Sequence, residues 1–274
     1  MNSFNKNSVI ALGTGTSTGI PIIGCRCSVC TSLDHRDQRL RTSILIETTT
    51  GKKILVDATP DLRTQFLNNK ISDIDFAIIT HEHADHLHGL DDLRPLTFGP
   101  PMREINIYCN ENTYNTIEKR FEYIFMKRDP IKNPILGGGI PRLKLNKLEM
   151  QKDIIIEDEK FFFFNYPHGH GETMGFIHEG LAYIVDCMEI PPELLTILKS
   201  KKIRLLILDC LQRAPHSTHL TVERAFNYIK EINPERTGLI HMGHDLFHRE
   251  LLMLAQSQFG DKVFPLYDQL KLFY

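Results

Sequence analysis

Residues 80 to 86 read Thr80-His81-Glu82-His83-Ala84-Asp85-His86, placing three imidazoles and a carboxylate within six residues. Such side chains do not belong in an apolar core, because each would need a buried polar partner. A short turn after a strand points alternate side chains at one focus, and imidazole with carboxylate suits zinc, iron or manganese. A second cluster lies upstream, Gly24-Cys25-Arg26-Cys27-Ser28-Val29-Cys30, with three thiols in six residues. Thiolates this close form a knuckle for zinc, and a structural zinc site takes four ligands, so one more must come from elsewhere. The chain holds 13 histidines in all, and most fall at the ends of predicted strands, where loops carry chemistry.

The elements that position these groups follow from apolar periodicity. Strands are predicted at Ser8 to Leu12, Ser43 to Thr48, Lys53 to Val56 and Phe76 to Thr80, the last running straight into the histidine turn. A helix is expected from Leu87 to just before Pro95, then a strand at Ile105 to Cys109. A further helix, Thr113 to Phe125, has Ile117, Phe121, Ile124 and Phe125 at helical spacing. The stretch from Lys127 to Asn146, rich in Pro, Gly and basic residues, reads as a long loop or lid. Strands resume at Ile154 to Ile156, Phe161 to Tyr166, Ala182 to Val185, Leu205 to Leu208 and Leu239 to Ile240. Helices are expected at Pro192 to Lys199 and at Val222 to Glu231, the latter N-capped by Thr221.

The His81 to His86 pattern is the signature of the metallo-β-lactamase superfamily, which the chain resembles from Gly13 to its C-terminus. The resemblance implies an αββα sandwich, two mixed β-sheets packed face to face with helices on both outer faces. It implies a single such domain over residues 1–274. Later ligands are expected in Tyr166-Pro167-His168-Gly169, at Asp186 after Ala182 to Val185, and at His241 after Leu239-Ile240. One divalent metal would be held by His81, His83 and His168, the other by Asp85, His86 and His241, with Asp186 bridging them in the reacting centre. His170 is a rival to His168. His88, Asp91 and Asp92 read as helix-start residues, and Asp57 as a residue holding the histidine loop. Redox di-iron members place a glutamate where this chain has His83, which points to the hydrolytic branch.

The cysteine cluster, with Gly89-Leu90-Asp91-Asp92-Leu93-Arg94 after the histidine turn, looks like the phosphoribosyl 1,2-cyclic phosphodiesterase group. That resemblance implies a structural zinc bound by Cys25, Cys27, Cys30 and His244, with His35 a local rival. A non-ligand histidine between a strand and the Thr221 helix assists the chemistry in related enzymes. His219 is the candidate here and His216 its neighbour. An imidazolium there can protonate a leaving alkoxide. The expected reaction is attack of metal-bound hydroxide on a small or cyclic phosphodiester, with zinc, manganese or iron in the active site. Alternatives are a ribonuclease Z-like RNA processor, a thioester or lactone hydrolase, and an inactive metal-binding scaffold. The first would use Lys127, Arg128, Lys132, Arg142, Lys144 and Lys147 as a phosphate-binding lid. The complete ligand set opposes the last. Gly13 to Gly19 lacks the spacing of a nucleotide fingerprint and reads as a turn beside the metals.

Composition bounds the partners. A net charge of −2 argues against general affinity for nucleic acid or anionic membrane. No apolar run approaches the ~20 residues of a membrane span, and residues 1 to 6 lack the apolar core of a secretory signal. A cytoplasmic protein with a small-molecule substrate is expected, and a homodimer is compatible with this reading.

Overall fold

Side chains alternate across a strand, and that alternation builds the layers seen in the computed structural model, which describes residues 6–125 and 139–274. Ile44 and Ile46 face the space between two sheets, whereas Leu45 faces outward against helices. Phe161 and Phe163 point inward in the same way, and Phe164 points out.

The first sheet contains β1 (Ser8–Gly13), β2 (Ser43–Glu47), β3 (Lys53–Val56), β4 (Phe76–Ile78), β5 (Ile105–Cys109) and β6 (Leu143–Lys147), closed at its other edge by β14 (Lys271–Phe273). The second contains β7 (Asp153–Ile156), β8 (Glu159–His168), β9 (Gly171–His178), β10 (Leu181–Ile184), β11 (Leu205–Asp209), β12 (Arg236–Ile240) and β13 (Val263–Pro265). Their orders are β14-β1-β2-β3-β4-β5-β6 and β13-β12-β11-β10-β9-β8-β7. Both sheets are mixed. β3 to β6 run parallel in one and β10 to β13 in the other, while β1–β2 and β8–β9 are antiparallel. Phe161, Phe163 and Phe176 interlock between the sheets, with ring centroids 5.3 to 6.2 Å apart. Truncating one to alanine would cost about 3–5 kcal/mol.

Helices cover both outer faces, so the architecture is the αββα sandwich. Leu62 and Phe66 of α1 (Leu62–Asn68) lie on the first sheet. The short α2 (Ala84–Leu87) and α3 (Arg94–Thr97) follow, then α4 (Glu111–Arg120) and α5 (Glu122–Phe125). The second sheet is covered by α6 (Pro192–Ser200), α7 (Val222–Ile232) and α8 (His248–Phe259). Thr221 caps α7 by accepting from the Arg224 N–H at 3.2 Å, as its sequence predicts.

Three expectations are corrected. The helix after the histidine turn begins at Ala84, not Leu87, with His83 in the extended N-cap position. Pro95 does not stop a helix but sits in the first turn of α3, where a missing N–H costs nothing. Of the expected Lys127 to Asn146 lid, residues 127–138 lie outside the described residues, and Leu143 onward is β6, paired with β5. The sequence reading also leaves α1, β9, α8, β13 and β14 unassigned. β9 forms a hairpin with β8, and its turn uses Gly169 at φ +58°, a left-handed conformation that favours glycine.

Candidate metal centre

Three apolar strands of similar sequence each end in an aspartate: Ile54-Leu55-Val56-Asp57, Tyr183-Ile184-Val185-Asp186 and Leu206-Ile207-Leu208-Asp209. All three carboxylates are buried. They lie at the carboxyl ends of parallel strands, where ligands gather in sheets of this kind. His81 follows β4, His168 ends β8 and His241 follows β12. Asp57, Asp186 and His241 have φ of 67°, 55° and 62°. Left-handed backbone costs a non-glycine residue about 1–3 kcal/mol, and such strain persists where the surrounding structure enforces it. Here it turns the chain sharply at each strand end, so that the side chain points into the site.

The structure brings all seven expected inner residues together, in two groups. His81, His83 and His168 form one, and Asp85, His86 and His241 the other, with Asp186 common to both. Asp186 Oδ2 stands 3.6 Å from His81 Nε2 and 3.4 Å from His168 Nε2. Its Oδ1 stands 3.2 Å from Nε2 of both His86 and His241. One carboxylate thus faces both groups, an oxygen to each.

Three of the rings are oriented from behind. His86 Nδ1 lies 2.7 Å from Asp57 Oδ2, and Asp57 also accepts from the Thr80 N–H and hydroxyl. His81 Nδ1 meets the Thr80 hydroxyl at 3.0 Å, and His168 Nδ1 the Thr218 carbonyl at 2.9 Å. Fixing Nδ1 leaves Nε2 to face the centre. There, His81 Nε2, His86 Nε2, His241 Nε2 and Asp186 Oδ1 are buried with no hydrogen-bond partner. Buried polar atoms rarely go unsatisfied, and a convergent set of them calls for an ion. Electrostatics points the same way. Burial opposes charge on His86, yet Asp186, Asp85 and Asp57 outweigh it and raise its pKa well above the ordinary histidine value. Burial, joined by His86, pushes His81 well below. The carboxylates draw positive charge into the site, and the donor set fits divalent cations.

The outer cluster fits zinc by geometry. Sγ of Cys25, Cys27 and Cys30 lies 3.4, 3.6 and 3.8 Å from His244 Nδ1. Zn–S near 2.3 Å and Zn–N near 2.05 Å in a tetrahedron put S and N about 3.6 Å apart. His35 is not in this group; its side chain is exposed beside Asp34.

His219 stands at the edge of the inner cluster, its Nε2 4.0 Å from Asp186 Oδ2 and its ring 4.7 Å from that of His241. Nδ1 lies 3.0 Å from Asp209 Oδ2, which also accepts from the Cys187 N–H at 2.8 Å. Burial disfavours the imidazolium, but Asp209 prevails and lifts the pKa to about 9. Asp209 is the residue that sequence reasoning missed. Its signal was the strand-end aspartate that it shares with Asp57 and Asp186. His216 is exposed, its ring 5.2 Å from that of His219. His170 lies outside both groups, and Asp91 accepts from the Tyr123 hydroxyl at 2.9 Å.

The centre opens into a cavity of about 640 Å³. Beyond the cluster its walls are Ser17, Glu82, Gly169, His170, Gly171, Glu172, His216 and Thr218, so no apolar side chain lines it among the described residues. The glycine turn of residues 13 to 19 lies alongside, with Gly15 bridged to Met242. A Cβ at Gly13 would collide with the Arg41 carbonyl.

Residues 52–242 match the beta-lactamase superfamily domain. The chain belongs to that superfamily: it has the metallo-β-lactamase fold, and it is related to the PhnP family. A diphosphatase of the PhnP family shares 33% identity with it at a TM-score of 0.86, over 98% of this chain and 97% of that one. Zinc-bound PqqB from Methylobacterium extorquens matches in fold, with 18% identity and a TM-score of 0.77 over 97% of this chain and 99% of the other. The octanoyltransferase of Porphyromonas gingivalis is 38% identical over 245 residues, 89% of this chain but only 47% of that protein. The chain thus spans about half the length of that relative. The fold implies divalent metal ions in the site.

Proposed function

We propose that the chain hydrolyses small, polar phosphodiesters, and the observation that carries this reading is the Asp209–His219 pair facing the two-group cluster, inside a cavity that no Val, Leu, Ile, Met or Phe side chain lines among the described residues. His81, His83 and His168 would hold one divalent cation, Asp85, His86 and His241 the other, with Asp186 shared. Zinc, manganese or iron suits these donors. When bound, the pair supplies an activated water and positive charge against the developing phosphorane. The chain's own groups do the rest. Asp209 fixes the tautomer and direction of His219, leaving Nε2 toward the cavity to donate a proton to the departing alkoxide. Asp57, Thr80 and the Thr218 carbonyl hold the rings of His86, His81 and His168 in place for the reaction. Cys25, Cys27, Cys30 and His244 would hold a structural zinc.

The cavity walls support a polar substrate over a fatty acyl one. An octanoyl chain gains about 0.8 kcal/mol for each CH2 it buries, and among the described residues no aliphatic side chain larger than threonine lines the cavity to receive it. The octanoyltransferase name belongs to a protein of which this chain matches less than half.

A panel of substrates on metal-reconstituted protein tests the reading. A small aryl phosphodiester should turn over, and a phosphomonoester poorly, because its extra charge binds both metals unproductively. Preference for a thioester or lactone by orders of magnitude would place the chain among acyl hydrolases. Specific cleavage of precursor transfer RNA would place it among RNA processors.

A further inference from the structure

Arg39 is buried, 1% exposed, yet it belongs to neither cluster. Its backbone pairs with Ile20 in both directions, each hydrogen bond 2.8 Å, which sets it beside the loop bearing the three thiols. Its guanidinium donates to the carbonyls of Gly243 at 2.8 Å and Leu246 at 2.5 Å. It donates also to Asp37 Oδ1 at 3.1 Å and to the Arg36 carbonyl at 3.3 Å. Asp37 in turn accepts from the His248 N–H at 2.7 Å and the Ser32 hydroxyl at 2.7 Å. One side chain therefore ties the cysteine loop to the segment from Gly243 to the start of α8.

That segment serves both clusters. His241 faces Asp186 in the inner one, and His244 faces the thiols in the outer one. Only Met242 and Gly243 separate them, so the path of the peptide at Gly243 governs where both imidazoles point. On the reading that both clusters hold metal, we propose that Arg39 is a positioning residue coupling them, setting His241 and His244 together through the Gly243 and Leu246 carbonyls. The guanidinium fork reaches both carbonyls and Asp37 at once, which a lysine ammonium on a single flexible stem does not.

The test strips the full-length protein of metal and titrates it with Co²⁺ against a competing chelator. Thiolate-to-cobalt charge-transfer absorbance reports the outer cluster, and the remaining bands report the inner one. Arg39→Lys should weaken Co²⁺ at the outer cluster and at one inner position by about 10–100-fold, as loss of a ligand's supporting partner does. The other inner ion, on His81, His83 and His168, should keep its affinity. Asp37→Asn should give the same selective pattern with smaller losses, and it carries the test if Arg39→Lys does not fold. Leu198→Ala, a core truncation on the far helix, controls for lost stability alone. The coupling is overturned if both variants keep all three ions at wild-type affinity, or lose all of them equally in step with melting temperature as Leu198→Ala does. Wild-type protein that binds no Co²⁺ at either cluster would overturn the metal reading, and the coupling with it.

Discussion

The first sheet delivers its share of the site in one piece, and the second in fragments. His81, His83, Asp85 and His86 occupy a single turn after β4, braced by Asp57 and Thr80 of the same sheet. His168, Asp186, Asp209 and His241 arrive one at a time from the ends of β8, β10, β11 and β12, and His219 from the loop before α7. The contiguous turn contributes only groups facing the cluster. The fragments contribute the shared carboxylate and the imidazole beside it. Damage to the turn should therefore be a loss of metal that excess metal restores, and damage at His219 a loss of chemistry that no metal restores.

The largest expected effect tests the second half of that contrast. His219→Ala should lower turnover by roughly two to four orders of magnitude, as for loss of a general acid, with metal content unchanged. A diester with a good leaving group should be much less affected than an alkyl ester, because its alkoxide needs little protonation. Equal loss on both, with metals bound, would mean that His219 stabilises phosphorane charge and donates no proton. Full activity in His219→Ala beside an inactive His216→Ala would move the role to His216. In the first sheet, Asp57→Asn should weaken metal binding by about 10–100-fold, and turnover should recover as metal is added. A turnover deficit that persists at saturating metal would erase the contrast between the sheets.

The same contrast explains what could be read from the sequence. The turn was legible because three imidazoles and a carboxylate stand together in a few residues. His168, Asp186 and His241 are single residues after strands, recognisable only by family resemblance. Asp209 escaped because a carboxylate closing an apolar strand reads as an ordinary strand end, and its partner His219 lies ten residues on. Strands with alternating or continuous apolar runs were placed to within a few residues. β9 was not, since Gly171-Glu172-Thr173 opens it with exposed polar residues and a glycine, and its pairing with β8 is set by the hairpin turn. Arg39 reads in sequence as one basic residue among several, and only the fold shows it buried between two loops more than 200 residues apart.

The cysteine cluster belongs to neither sheet, and it should behave differently from both. Cys27→Ser should lower the melting temperature far more than it lowers the turnover of protein that stays folded, because structural zinc contributes directly to folding free energy. His244→Ala should match it and His35→Ala should not. A Cys27→Ser protein that melts like wild type would make the thiols bystanders.

The smallest effect concerns His248, at the start of α8, where the cysteine loop meets the second sheet's helices. Its ring is buried 5.7 Å from that of Tyr267, near the paired charges of Arg36 with Asp34 and Arg39 with Asp37. Burial, then the two guanidinium groups, hold its pKa down at about 4, the aspartates only partly opposing them. The folded protein therefore resists protonating a group that the unfolded chain protonates near its ordinary value of 6.5. Between those values the unfolded state binds more protons, so this histidine's contribution to stability is complete above about pH 6.5 and is lost as pH falls towards 4. His248→Gln removes the titration while keeping a polar side chain. Wild-type melting temperature should fall between pH 7 and pH 5, and the variant's should fall less, by a few degrees at about 2–4 °C per kcal/mol. Equal falls in both would mean that the local charges leave His248 free to ionise in place. Acid sensitivity of the fold would then come from other groups whose ionisation it shifts, such as Asp34, held down by Arg36 at the same junction, and His178, held down by burial.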